Sequence, residues 1–68
     1  MKLAQKIKMV MIQNGLDGSY KELSDILGIS IPSVVNKLKE RQPFKLKEIK
    51  TFAERFNLSA DKVWWIFF

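Results

Sequence analysis

The segment "LGISIPSVVNK", from Leu27 to Lys37, decides how this chain folds. Gly28 follows an apolar helical stretch and permits the left-handed backbone that ends a helix. Ser30 is a candidate N-cap for the next helix, and Pro32 suits the first turn, where its missing N–H costs nothing. Because Pro32 also disfavours the α conformation at Ile31, that residue is an alternative cap. The segment predicts two short helices joined by a tight turn.

Apolar residues recur at helical spacing along the rest of the chain. Ser19 and Glu22 form a capping box that begins the second helix, and the third helix is expected to end around Arg41. The stripes expected to face the core comprise Leu3, Ile7, Val10, Met11, Leu23, Ile26, Leu27, Val34, Leu38, Leu46, Ile49, Ala53, Phe56, Val63, Trp64 and Ile66. We therefore predict one domain over residues 1–68, an all-α, compact five-helix bundle with a helix-turn-helix at about residues 19–41.

The composition argues against an enzyme. The chain contains neither cysteine nor histidine, which removes disulfides, ordinary zinc or iron sites and most acid–base or nucleophilic chemistry. It also lacks a glycine-rich phosphate loop and paired carboxylates. No apolar run reaches the roughly 18 residues of a membrane span. We expect a cytoplasmic protein with no enzymatic activity, no cofactor, no small-molecule ligand and no membrane partner.

Positive charge is concentrated in one part of the chain. The formal net charge is +5, and residues 37–50 contain six lysines and arginines against Glu40 and Glu48. A basic stretch on a small domain indicates a polyanionic partner, most simply nucleic acid. The alternative is an ordinary solvated lysine-rich surface.

Four segments carry a resemblance to a known family: "NGL" (14–16), "ELSDILGIS" (22–30), "VVNKLKERQPF" (34–44) and "IKTFAERFNLSADKV" (49–63). In this order they resemble the phage Cro/repressor-type helix-turn-helix domain of the XRE, or lambda-repressor-like, family. The resemblance covers nearly the whole chain and implies a five-helix fold that binds an operator as a dimer. The chain departs from the family pattern at Asp17-Gly18, which looks like an insertion. Tyr20 replaces the usual Gln, Ser24 the usual Ala and Glu40 a common Gly.

The third helix carries the candidate base-reading residues. If Val34 and Leu38 point inward, a rotation of 100° per residue turns Asn36 directly away from the core. An Asn amide can pair with adenine as donor and acceptor, whereas apolar neighbours can press on thymine methyl groups. These positions coincide with the base-reading surface of the resembled family. The predicted set is Pro32, Ser33, Val35 and Asn36. For Pro32 the alternative role is helix initiation alone, and for Val35 it is partial burial in the core.

Candidate phosphate-binding residues flank this helix. Tyr20 and Lys21 lie at the start of the second helix, where free backbone N–H groups and the helix dipole favour an anion. Other candidates surround the end of the third helix, where the resembled family also contacts the DNA backbone. The full set is Tyr20, Lys21, Lys37, Lys39, Arg41, Gln42 and Lys45. Such contacts make binding salt-dependent without specifying sequence, and any single lysine has the alternative of being idle surface.

The C-terminal segment "VWWIFF" (63–68) is apolar all round. Trp64 and Ile66 are expected to cover the core, which leaves Trp65, Phe67 and Phe68 exposed. Exposed aromatic residues commonly mark an interface, so these three predict a two-fold homodimer. Such a dimer would present two third helices about one DNA turn, ~34 Å, apart. Membrane contact is a weaker alternative, because no basic residues are interleaved with this segment.

The sequence therefore predicts a sequence-specific DNA-binding transcriptional regulator. The expected form is a small Cro-like phage or prophage repressor that binds a palindromic operator in double-stranded DNA through the major groove, as a homodimer. The alternative is a protein-interaction module, of the antitoxin or antirepressor type, that retains the helix-turn-helix fold.

Overall fold

A computed structural model describes all 68 residues, from Met1 to Phe68. It contains five helices and no strand: α1 (Leu3–Gln13), α2 (Tyr20–Leu27), α3 (Ile31–Leu38), α4 (Leu46–Arg55) and α5 (Ala60–Phe67). The predicted all-α five-helix architecture is confirmed, although α3 ends at Leu38, three residues before the expected end. None of the five helices combines the length and apolar character needed to cross a membrane.

Local hydrogen bonds define both ends of the turn between α2 and α3. Gly28 ends α2 with a φ of 68°, in the left-handed region that glycine adopts without a Cβ clash. The Ser24 hydroxyl donates to the Ile29 carbonyl at 2.5 Å, so this serine ties the turn to α2. Ser30 Oγ accepts the backbone N–H of Ser33 at 3.3 Å. Ser30, not Ile31, is therefore the N-cap of α3.

The capping box at the start of α2 is confirmed. Ser19 Oγ accepts from the backbone N–H of Glu22, and Glu22 Oε1 accepts from the backbone N–H groups of Gly18 and Ser19. Desolvation would raise the pKa of Glu22, but hydrogen bonds from the backbone of this loop outweigh it, so the pKa lies below its ordinary value. The box satisfies N–H groups that have no partner within the helix.

The core forms where α2 packs against α3 and α4, and where α5 packs against α1 and α4. Phe52 is almost fully buried at its centre, with its ring 4.8 Å from Phe56 and 5.8 Å from Phe67. The buried cluster consists of Ile7, Val10, Met11, Leu23, Val34, Phe52, Phe56 and Ile66. The predicted inward stripes thus supply most of this core, and Phe52 is an addition to them.

Two residues expected to face the core lie on the surface instead. The side chain of Leu46 is 79% exposed, because the buried stripe of α4 runs through Glu48, Ile49 and Phe52, away from its first residue. Trp64 is 67% exposed, because Ile66 determines which face of α5 is buried. The predicted helices are present, but these two residues lie on their exposed faces.

Candidate nucleic-acid interface

The outer face of α3 carries the four predicted base-reading residues. Pro32 is exposed, and Ser33, Val35 and Asn36 are half-buried, whereas Val34 between them is fully buried. None of the four is enclosed in the core. The exposed Ile31 adds a further apolar side chain beside Pro32. This face is mainly apolar, with one hydroxyl and one amide.

Ser33 keeps a free donor although it takes part in the N-terminal cap. The Ser30 hydroxyl accepts from the Ser33 backbone N–H and donates to Ser33 Oγ at 2.9 Å. The Ser33 hydroxyl hydrogen is therefore available to a base or phosphate acceptor.

The chain folds back over the C-terminal end of α3. Glu40 adopts a φ of 60°, and its backbone N–H donates to the Lys37 carbonyl at 3.1 Å. The backbone N–H of Arg41 donates to the Asn36 carbonyl at 2.9 Å. These two bonds form a Schellman motif, in which the left-handed residue is usually glycine. The motif brings Arg41 alongside Asn36, which explains why Asn36 is only partly exposed.

Cationic side chains surround this end of α3. Of the predicted phosphate-binding residues, Lys39, Arg41, Gln42 and Lys45 are exposed in the turn and loop that follow the helix. Lys47, in the first turn of α4, is also exposed and was not in the predicted set. The four cations, Lys39, Arg41, Lys45 and Lys47, form a positively charged margin between the end of α3 and the start of α4, and Arg41 contacts Asn36.

The other predicted phosphate-binding residues lie at the N-terminus of α2. Tyr20 is half exposed as the first residue of this helix. Lys21 is exposed, with its Nζ 3.6 Å from a carboxylate oxygen of Asp25. A surface pair of this kind contributes about 0–1 kcal/mol, so a phosphate can displace the carboxylate at small cost.

Lys37 does not belong to this margin, which corrects the prediction. Its side chain is almost completely buried, and its Nζ donates to both carboxylate oxygens of Glu48, at 2.5 and 2.6 Å. Glu48 Oε1 also accepts the backbone N–H of Lys45 at 2.8 Å, at the start of α4. Lys37 therefore links α3 to α4 and is not available to a phosphate.

The pKa of Glu48 is lowered although its side chain is buried. Burial disfavours the charged form of Glu48, but the hydrogen bonds from Lys37 and Lys45 and the positive charge of both residues outweigh it. The pKa of Glu48 consequently lies below its ordinary value of 4.5. The Glu48 carboxylate and the Lys37 side chain are paired inside the protein.

The helical periodicity of α3 and α4 indicates this pair. Lys37 lies three residues after Val34, on the inward half of α3. Glu48 lies next to Ile49 and four residues before Phe52, on the inward stripe of α4. Two opposite charges on two inward faces signal a buried ion pair, whereas a charge count along the segment treats both as surface.

The aromatic end of the chain differs from the prediction in which residues it exposes. Phe67 is half-buried and packs edge-on against Phe44 and Phe52, with centroid distances of 5.4 and 5.8 Å. Trp65 and Phe68 are exposed, as expected, and Trp64 is exposed in addition. The rings of Trp64 and Phe68 stack 5.0 Å apart. The prediction for Phe67 is therefore wrong because its ring completes the core.

Trp65 is exposed, but its ring and carbonyl are also in contact with other residues of the chain. Lys6 Nζ donates to its carbonyl at 2.7 Å and lies 4.9 Å from its ring centroid. Lys62 Nζ lies at the same distance from the ring. The Lys6 contacts link α1 to α5, whereas the Lys62 contact lies within α5.

No curated protein and no solved structure matches this chain. A family model described as the BetR domain matches residues 2–65, which include all of α1 to α4 and most of α5. Because this match spans nearly the whole sequence, the chain belongs to the BetR domain family.

Proposed function

We propose that this domain is a sequence-specific DNA-binding transcriptional regulator of the Cro/repressor type, acting in the cytoplasm. The observation that carries the proposal is the surface of α3. Pro32, Ser33, Val35 and Asn36 reach this surface, and the helix contains no carboxylate that would repel DNA. The size and shape of an α-helix suit the major groove, where base edges are distinguishable.

The net positive charge of the exposed side chains supports the same proposal. Lys37 and Glu48 cancel each other in the interior. The rest of residues 37–50 exposes five cations, Lys39, Arg41, Lys45, Lys47 and Lys50, against the single carboxylate of Glu40. Cations next to a base-reading face neutralise phosphates, and the counterions released make binding strongly salt-dependent.

We further propose that the domain binds a palindromic operator as a homodimer. Trp64 is 67% exposed and Phe68 is 70% exposed, and their stacked rings form an apolar surface outside the core. A large aromatic side chain buries about 150–250 Å² in an interface, so two per protomer form a substantial centre for a two-fold contact. Two protomers would place their third helices about 34 Å apart on one side of the duplex.

The test is a shift assay with mixed-sequence duplex DNA at increasing salt. A DNA-binding regulator binds at low salt, and its affinity falls linearly with the logarithm of the salt concentration. Selection from random duplexes should then enrich a two-fold symmetric site. The exposed Trp64–Phe68 stack also suits a protein-interaction module, which would bind little DNA even at low salt; that result would overturn the proposal.

A further inference from the structure

Arg41 is held next to Asn36 by the backbone. The Schellman motif after α3 places the Arg41 N–H on the Asn36 carbonyl at 2.9 Å, and the Gln42 N–H reaches the same carbonyl at 3.4 Å. Glu40, with a φ of 60°, allows the chain to reverse there. Arg41 therefore emerges beside the amide that was expected to read a base.

The two side chains also meet. Arg41 Nη1 donates to Asn36 Oδ1 at 3.5 Å, a long hydrogen bond that places the guanidinium beside the amide. Arg41 is exposed and forms no ion pair; the two ion pairs of the protein are Lys21–Asp25 and Lys37–Glu48. Most of its N–H donors thus remain available.

The donors of Arg41 determine which base it fits. The hydrogen bond from Arg41 occupies one lone pair of Asn36 Oδ1, so Asn36 keeps a second lone pair and its NH₂ group, whereas the guanidinium of Arg41 offers only N–H donors. Adenine requires an acceptor for its N6 amino group, whereas the major-groove edge of guanine presents two acceptors, O6 and N7. The planar, donor-only guanidinium therefore fits guanine.

We propose that Arg41 reads a base beside Asn36, and that this base is guanine. The inference rests on the proposed DNA-binding function and changes one assignment within it. Arg41 moves from the phosphate-binding set to the base-reading set, and Asn36 positions its guanidinium. An arginine bidentate to O6 and N7 is also the commonest base-specific contact in protein–DNA complexes.

The experiment compares sites selected from random duplexes by the wild-type domain, by Arg41→Ala and by Lys47→Ala. The wild type should select one guanine per half-site that Arg41→Ala no longer selects, while the other positions stay unchanged. Preference at that guanine should fall by about 5- to 150-fold, which corresponds to a good bidentate contact. Lys47→Ala removes the same charge from the same margin and should keep the guanine.

A second arm replaces the selected guanine by 7-deazaguanine, which lacks the N7 acceptor. The wild type should lose affinity for the modified site, whereas Arg41→Ala should bind both sites equally. Retention of the guanine by Arg41→Ala, or a wild-type site that contains no selected guanine, would overturn this inference alone. Failure of the wild type to bind any duplex at low salt would overturn the proposed function instead.

Discussion

Lys37 on α3 and Glu48 on α4 form an ion pair that is almost entirely shielded from solvent, with both carboxylate oxygens within 2.6 Å of the ammonium. The same carboxylate accepts the Lys45 N–H at the start of α4. One glutamate therefore fixes the position of the proposed base-reading helix and the end of the basic loop.

Lys37→Met should destabilise the fold severely. Leaving one member of a buried pair uncompensated costs about 3–5 kcal/mol, which is comparable to the total stability of a domain this small. We expect Lys37→Met to be largely unfolded at 25 °C by circular dichroism and urea titration. Lys37→Met combined with Glu48→Leu should fold again, because an apolar pair replaces both charges.

The matched control is Lys39→Ala, which removes an exposed lysine two residues away and should change the free energy of unfolding by less than about 0.5 kcal/mol. If Lys37→Met were as stable as Lys39→Ala, the ion pair would not be buried as described.

Acid should weaken the fold through Glu48. Because the pKa of Glu48 is lower in the folded protein than its ordinary value of 4.5, the unfolded chain binds more protons as the pH falls. Its contribution to stability is present above that ordinary value and is lost as the pH drops through the lower folded-state pKa. Urea titrations between neutral pH and pH 2 should show this loss. In the double variant Lys37→Met/Glu48→Leu, the free energy of unfolding should fall less steeply as the pH is lowered. An equally steep fall would show that other groups cause the acid sensitivity.

Glu40→Gly should stabilise the domain. A residue with a Cβ pays roughly 1–2 kcal/mol for the left-handed conformation, while glycine loses roughly 0.5–1 kcal/mol more backbone entropy. We expect a net gain of about 0.5–1 kcal/mol in the free energy of unfolding, measured by urea titration. Glu40→Ala retains the Cβ and should show no gain. Asn57→Gly should gain less, because asparagine tolerates its φ of 52° better than glutamate tolerates a φ of 60°.

Lys45→Ala should weaken binding to all duplexes similarly and reduce the salt slope by about one unit, as expected for the loss of one phosphate contact. The backbone N–H that Lys45 donates to Glu48 remains in this variant, so the start of α4 is preserved. Fluorescence anisotropy over a salt series measures both effects. Lys62→Ala is the control, because Lys62 lies over the Trp65 ring on α5, and an equal loss of slope there would rule out a specific contact by Lys45.

Replacing both Trp64 and Phe68 by alanine should weaken self-association at least about tenfold in sedimentation equilibrium, since aromatic residues dominate most interfaces. Phe67 is left intact, because its ring packs on Phe52 and its loss would also damage the core. Ile12→Ser is the control, because this exposed isoleucine lies far from the aromatic pair. Leu3, at the other end of α1, is the residue that lines a groove together with Phe68. If the double variant associated as tightly as Ile12→Ser, Trp64 and Phe68 would not belong to the interface.

The helix boundaries could be predicted because the interactions that set them are local. Ser19, Ser30 and Ser59 each accept a backbone N–H three residues ahead, and Gly28 needs only its own backbone freedom to end α2. Such contacts lie within a few residues of sequence, so residue order alone specifies them. The end of α3 was missed because Glu40 adopts a conformation that glycine normally signals.

The number, the approximate ends and the amphipathic character of the helices, together with the outward direction of the α3 surface, thus follow from residue order. The helical periodicity of α3 and α4 also indicates the Lys37–Glu48 pair. The packing of the helices, in contrast, sets the return of Arg41 to Asn36 and the covering of Phe67 in place of Trp64. This is because the turn after α3 has no helical periodicity and the all-apolar α5 has no preferred face of its own. Their orientation depends on which charges and rings the neighbouring helices bring into contact with them.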